Sequence, residues 1–248
     1  MTDIVPADQL NRWQSLTKSK RQGFRQNQIV LDNKFFTLDD QKNPNFGKLF
    51  AVSYSEDGSE LRKELDISKV TFLPVKMRVQ IASTDFDEVV GKMRHWCPEI
   101  EEGGEIALRD TEGTIVYQGL YNKEVKEQYK LKYYQSLYVF LFEDGKFEDG
   151  NVYRWRVSPA HFSTWFKVKK IWDKAPVPMT IKVVGINQEV KGQTRYNVIL
   201  FGLGVEVPID LALPLAEKVD ETLASYYKNK EVAQVEESPV PGKPRKVK

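Results

Sequence analysis

From Ile29 the signal turns to strands, in segments where apolar and polar residues alternate with a period of two and one face is expected to be buried. Over residues 70–82, Thr71, Leu73, Val75, Met77, Val79 and Ile81 fall on one side, and Phe72, Pro74, Lys76, Arg78 and Gln80 on the other. Pro74 lacks a backbone donor, so this strand is expected to lie at an edge or to carry a bulge. Residues 129–142 form a second, strongly aromatic strand. Leu131, Tyr133, Leu137, Val139 and Leu141 share its apolar face, with Lys130, Lys132, Tyr134, Ser136 and Tyr138 opposite. Two Asp-Gly steps between Glu143 and Gly150 predict a hairpin. The return strand, Val152 to Val157, sets Tyr153, Trp155 and Val157 against Val152, Arg154 and Arg156. The apolar company of Trp155 assigns it to the core.

Ser158-Pro159 has the form of an N-cap followed by proline at the first helical position. A helix from there to about Trp172 gathers Phe162, Trp165 and Trp172 on one face, with a strand over Trp165–Trp172 as the alternative. Pro176 and Pro178 end it. Strands follow at Met179–Ile186 and Thr194–Phe201. The helical spacing of Leu215, Val219, Leu223 and Tyr226 then predicts a terminal helix over Pro214–Lys228. Residues 83–128 carry Gly103-Gly104, charged patches and little periodicity outside Thr114–Leu120, and are expected to be an insertion.

Strand, insertion, strand, hairpin, strand, helix, strand, strand is the element order of the OB-fold. That is a five-stranded Greek-key barrel, here with a large insertion after the first strand and a C-terminal helix. The expected fold class is therefore mainly β, with the OB-type domain over residues 29–228. Residues 1–28 are an N-terminal arm: Leu10, Trp13 and Leu16 form a short amphipathic turn, and Lys18, Lys20, Arg21 and Arg25 follow as cations for a phosphate backbone. Residues 229–248, rich in Pro, Lys and Glu, are expected to be a disordered tail.

Composition narrows the picture further. With 41% hydrophobic and 12% aromatic residues, the chain of 248 can bury a core. A formal net charge of +2 means that any attraction to phosphate must come from a local patch. Cys97 is the single cysteine, so no intramolecular disulfide forms, which fits a reducing compartment. Met1–Leu10 lacks the apolar core of a secretory signal, and no apolar run approaches the ~20 residues of a membrane helix. The expected location is the cytoplasm, away from membranes.

Candidate chemistry concentrates on the outer face of the second and third strands. Lys130, Lys132, Tyr134, Tyr138, Arg154 and Arg156 supply cations for phosphates and flat rings for bases; Phe72, Lys76 and Arg78 extend the surface onto the first strand. The competing description is a solvated strand face. Metal binding would have to draw on His95, Cys97, Asp85, Asp87 and Glu99, without the paired Cys or His units of a zinc site. No metal or cofactor is expected. Cys97 and His95 stand two apart and would point in opposite directions on a strand, and His161 is the only other histidine. Gly-x-Ser-x-Gly is absent, and Gly202-Leu203-Gly204 lacks the rest of a phosphate loop. The best enzymatic alternative is a Mg²⁺-dependent nuclease using Asp110 with Glu124-Val125-Lys126, although Glu189-Val190-Lys191 repeats that spacing.

The stretch from Lys34-Phe35-Phe36-Thr37-Leu38 through the barrel strands to Ser158-Pro159 and Trp165-Phe166-Lys167 resembles phage-type single-stranded-DNA-binding proteins with an OB core, over most of residues 29–203. The resemblance implies sequence-tolerant, non-catalytic binding of single-stranded DNA in phage replication or recombination, in the host cytoplasm. It also implies partners among replication or recombination proteins. Many such proteins end in an acidic tail that recruits those partners. This chain ends Pro244-Arg245-Lys246-Val247-Lys248, which is basic, so that route of recruitment is not expected. A structural or protein-interaction component, as of a virion or an assembly, is the reading from a different class.

Overall fold

The computed structural model describes residues 26–34, 42–55, 58–88, 91–143, 146–147, 150–192 and 194–237. The cationic arm expected before residue 26, Phe35 to Leu38, and the tail after Glu237 lie outside them. Strands β1 (Gln28–Leu31), β2 (Leu49–Tyr54) and β3 (Glu60–Glu64) precede the long β4 (Val70–Ser83). The insertion holds β5 (Phe86–Asp87), β6 (Lys92–Met93), β7 (Glu105–Arg109), β8 (Ile115–Leu120) and α1 (Lys123–Gln128). Then come β9 (Leu131–Glu143), β10 (Lys146–Phe147), β11 (Tyr153–Val157), a 3₁₀ turn at Pro159–His161, and α2 (Phe162–Trp172). Strands β12 (Met179–Lys191) and β13 (Thr194–Glu206) lead into α3 (Ile209–Glu237).

The protein is mainly β, a curled mixed sheet with a C-terminal helix. Its strand order is β13-β12-β4-β9-β11-β1-β2-β3, with β10 folded back on β9. Only β1 and β11 run parallel within that path. β4 and β9 are its spine, paired from Val70↔Glu143 to Ser83↔Leu131. One register shift, between Pro74 and Lys76, breaks this ladder. The bulge accommodates a proline that has no N–H to give to a central strand, as the sequence pattern anticipated, and it reverses the parity of β4. Phe72 pairs with Leu141 before it and Met77 with Leu137 after it, all in or against the main core. The alternation expected along residues 70–82 is corrected accordingly: Leu73 and Val75 share a face with Lys76, Arg78 and Gln80, not with Val79 and Ile81.

The main core fills the concave side. Phe72 tilts against Trp155 with ring centroids 4.6 Å apart, and Phe201 lies between Trp155 and Trp165. Val79, Ile81 and Leu131, farther along the same strands, belong to a second core with Cys97, Ile106, Leu108 and Val125 of the insertion. The insertion thus has apolar contents of its own. Its segment around Trp96 bridges Ala82 of β4 and Arg109 of β7. Asn122 caps α1, its side chain accepting from the N–H of Val125 at 2.9 Å.

Side chains close the curl where strands do not. Asn33, just after β1, accepts from the N–H of Asn197 at 2.8 Å and donates to its carbonyl at 3.4 Å, standing in for a neighbouring strand. Two positions on, the N–H of Ile199 donates to His161 Nδ1 at 3.2 Å, and Thr164 Oγ1 donates to the Ile199 carbonyl at 2.6 Å. The outer edge of β13, otherwise open to another chain, is satisfied here from α2 and its preceding turn.

Three expectations change in detail. Residues 165–172 are helical, which removes the strand alternative; Ser158 stands before a 3₁₀ turn rather than the helix itself and makes no side-chain capping bond, and His161 takes the N-cap position of α2. β12 and β13 extend five residues beyond the expected Ile186 and Phe201. α3 starts at Ile209 with Pro214 inside it, and continues to Glu237 rather than stopping at Lys228.

Burial holds the pKa of His161 below its ordinary 6.5, and its Nδ1 must stay unprotonated to accept from Ile199. Below about pH 6.5 the unfolded chain takes up a proton that the folded protein resists, so this contribution is present above that pH and is lost as pH falls. Urea unfolding at about pH 7.5 and about pH 5.5 should show a smaller acid-side loss for His161→Phe than for the wild type. An identical loss in both would assign the acid sensitivity to other groups.

Candidate nucleic-acid interface

The convex side of β4, β9 and β11 carries the outward row Lys76, Arg78 and Gln80, then Tyr134, Ser136 and Tyr138, then Arg154 and Arg156. Register brings them side by side: Lys76↔Tyr138↔Arg154, Arg78↔Ser136↔Arg156, and Gln80↔Tyr134. The expected cationic, aromatic composition is therefore assembled on one surface. Much of it is already occupied by the chain itself.

Helix α3 lies across the lower part. Val219 and Leu223 are buried with Tyr138, Phe140 and Val152, and Ala212 with Leu73. Asp220 of the helix forms an ion pair with Lys76, and Lys218 donates to the Gly150 carbonyl. Tyr138 is 1% exposed, so its ring is no stacking surface; it packs under the helix because the face there is apolar. Phe72 is 0% exposed on the opposite side of the sheet, carried inward by the bulge. Both residues are removed from the expected binding surface.

Higher up, the insertion supplies an acid. The backbone of Val79 exchanges two hydrogen bonds with Ile100, at 2.8 and 2.9 Å, which lays residues 95–100 along the free side of β4. Ile100 then faces the second core, and its neighbour Glu99 faces the convex side. The Glu99 carboxylate accepts from Ser136 Oγ and Tyr138 Oη at 2.5 Å each, and from the Arg154 guanidinium at 2.6 Å. Arg154 also donates to Gln80 Oε1 at 2.9 Å and Ser136 Oγ at 3.2 Å. With side-chain exposures of 8% for Glu99 and 19% for Arg154, each charge depends on the other. Arg78 is paired with Glu101 at 2.9 Å, and Lys130 with Asp85 at 3.1 Å. Lys130 is not on the strand face at all: with φ at 49° it forms the left-handed turn between α1 and β9.

Three of the nine expected residues remain an accessible group. Lys132 and Arg156 are exposed, Tyr134 is half-buried, and the Arg156 guanidinium lies 3.7 Å from the centre of the Tyr134 ring. The sequence pattern did not single out an adjoining aromatic row on the concave side: Tyr121, Tyr133, Phe162 and Phe166. Strand parity did separate Tyr133 from Tyr134, but nothing local pairs it with a helix thirty residues away. An apolar groove of about 360 Å³ lies between the α2–β12 connection and the start of α3, lined by Leu73, Trp172, Pro176 and Leu213 among others.

The residues considered for metal or nuclease chemistry point elsewhere. Cys97 is buried in the second core, Asp85 holds Lys130, and Glu99 holds Arg154. Asp110 accepts from the N–H groups of Glu112 and Thr114 in the β7–β8 turn, while Glu124 and Lys126 are exposed on α1. Among the described residues, no three His, Cys, Asp or Glu side chains converge as metal ligands, and no helix is long and apolar enough to cross a membrane. The class defined by fold and site is a mainly β protein with a partly self-covered polar face. No family model, curated protein or solved structure matches the chain.

Removing one member of the Glu99–Arg154 pair should leave the other charge buried without its counterpart. Glu99→Ala is expected to lower unfolding free energy by about 3 kcal/mol, the lower end for a broken buried pair because Arg154 keeps some water. Glu99→Leu with Arg154→Met should recover most of that loss. Urea titrations with unchanged m-values check both; a neutral Glu99→Ala would remove the pair from the determinants of the face.

Proposed function

We propose that this protein is a non-catalytic, sequence-tolerant binder of single-stranded DNA, acting in replication or recombination through an OB-type barrel. The observation that carries the reading is the neighbour order of five strands. Counted from β4, β9 and β11 to β12 and β13 as strands one to five, the sheet runs 5-4-1-2-3, with α2 between the third and fourth. Those are the neighbour relations of an OB barrel. The binding surface of such a barrel is the face of strands two and three, with the loops after strands one and four. Lys132, Tyr134 and Arg156 stand on that face. The loop after strand one is the insertion; the loop after strand four is the β12–β13 tip, with Lys191 and Arg195 exposed. One departure concerns closure: β1 takes the parallel place beside β11 that the fifth strand would occupy.

A second reading, as a protein-interaction component, is favoured by α3 and Glu99, which cover much of the polar face, and by the apolar groove beside α3. Titration separates the two. Labelled oligothymidine should bind better than duplex, and more weakly as salt rises and counterions are released. Equal affinity for both forms, or none at low salt, would turn the assignment to the interaction reading. Magnesium-dependent cleavage of the same substrates, lost in Glu124→Ala, would replace both with the nuclease.

Within the binding reading, Tyr134→Ala should cost about 1–3 kcal/mol of affinity, the loss of one stacked base, with little change in salt dependence. Lys132→Ala and Arg156→Ala should each flatten the salt slope by about 0.7 per lost phosphate contact. Tyr138→Ala should act on stability instead, because its ring is buried. Fluorescence anisotropy at several salt concentrations, alongside urea melts of each variant, makes the distinction.

A further inference from the structure

Beyond the outer face, four aromatic rings run in a line across the seam between the insertion and the barrel. Tyr121 stands just after β8, Tyr133 on β9, and Phe162 and Phe166 on α2. Successive centroids are 6.1, 5.9 and 4.9 Å apart. Tyr121, Tyr133 and Phe162 are only half-buried, and Phe166 is 42% exposed. Exposed lysines bracket both ends in sequence: Lys123 and Lys126 on α1 beyond Tyr121, and Lys167 and Lys170 on α2 beyond Phe166.

Ring separations of this size are those of ordinary aromatic packing; what sets the row apart is its continuity with the outer face. β11 ends at Val157, opposite Gln135, so Leu131–Tyr134 of β9 run on with only β4 paired beside them. At that end Tyr133 and Tyr134 are consecutive residues on opposite sides of the strand. A strand leaving Arg156 and Tyr134 meets Tyr133 by passing over this end of β9. Of the acids beside the row, Glu102 is held by Lys169 at 3.5 Å, and Glu127 of α1 by Lys123 at 3.9 Å.

We propose that Tyr121, Tyr133, Phe162 and Phe166 form a second stacking surface for single-stranded nucleic acid, which takes the bases from the convex face over the end of β9 toward α2. The proposal rests on the single-strand reading above and extends it to a surface on the other side of the sheet.

The test uses the full-length protein with oligothymidine bearing a photoreactive halogenated base, followed by mass spectrometry of the cross-linked peptides. Cross-links are expected at Phe166 or Tyr121 as well as near Tyr134. Phe166→Ala should weaken binding about ten-fold, on the scale of one lost stacked base, while Phe166→Trp restores it. Phe166 is exposed, so its replacement leaves the core intact; circular dichroism and a urea melt verify that. If the wild type binds and cross-links only around Tyr134, with Phe166→Ala binding normally, the second surface is overturned and the outer-face reading stands. If the wild type binds no single strand at low salt, both fall together.

Discussion

The pairing of β4 with β9 is the constraint on which the other elements depend. These two strands contribute to both hydrophobic cores and to the convex face, so their relative register decides what every neighbour meets. A shift of one residue in a strand exchanges its two faces, and β4 makes that shift once, between Pro74 and Lys76. Without it, Phe72 and Met77 could not both face the main core. With it, an apolar half-face, Leu73 with Phe140, is left on the convex side, and that is where α3 settles. The bulge therefore dictates the position of a helix more than 130 residues later.

The same side carries a polar half, where side chains of two strands, β9 and β11, converge on one carboxylate that the insertion supplies. Arginine, serine and tyrosine donors around Glu99 form a set that an oxyanion of any origin would satisfy, and the protein provides its own. A buried arginine without such a partner would be costly, so the insertion is as much a structural component of the face as a decoration on it. Its own core and its backbone bonds to β4 fix the acid in place. What is left for a ligand is the border of this network, where Lys132, Tyr134 and Arg156 remain accessible.

Closure of the sheet follows a similar logic. β13 cannot leave its outer N–H and carbonyl groups unsatisfied beside a buried core, and among the described residues no second strand pairs with it at Asn197 and Ile199. Asn33, His161 and Thr164 supply the missing donors and acceptors one side chain at a time. This arrangement joins the start of α2 and the β1–β2 connection to the edge of the curled sheet.

Local periodicity was enough to place the five strands β4, β9, β11, β12 and β13, the β9–β11 hairpin region and both long helices, because burial on one face imprints a period of two or of 3.6 on a segment regardless of its neighbours. The short strands β1–β3 and most of those between β4 and β9 carried no such imprint. The sequence also assigned Trp155 its core role and identified cations and rings that β9 and β11 present outward. Tertiary structure alone decided which of those groups stay free. Phe72 turns inward because a bulge resets parity, a matter of pairing with another strand. Tyr138 is buried because a helix from the far end of the chain lies on it. Arg154 is neutralised by an acid whose position depends on bonds to β4. Each outcome joins residues tens of positions apart, and the alternation of side chains within a single strand carries no information about what will cover it.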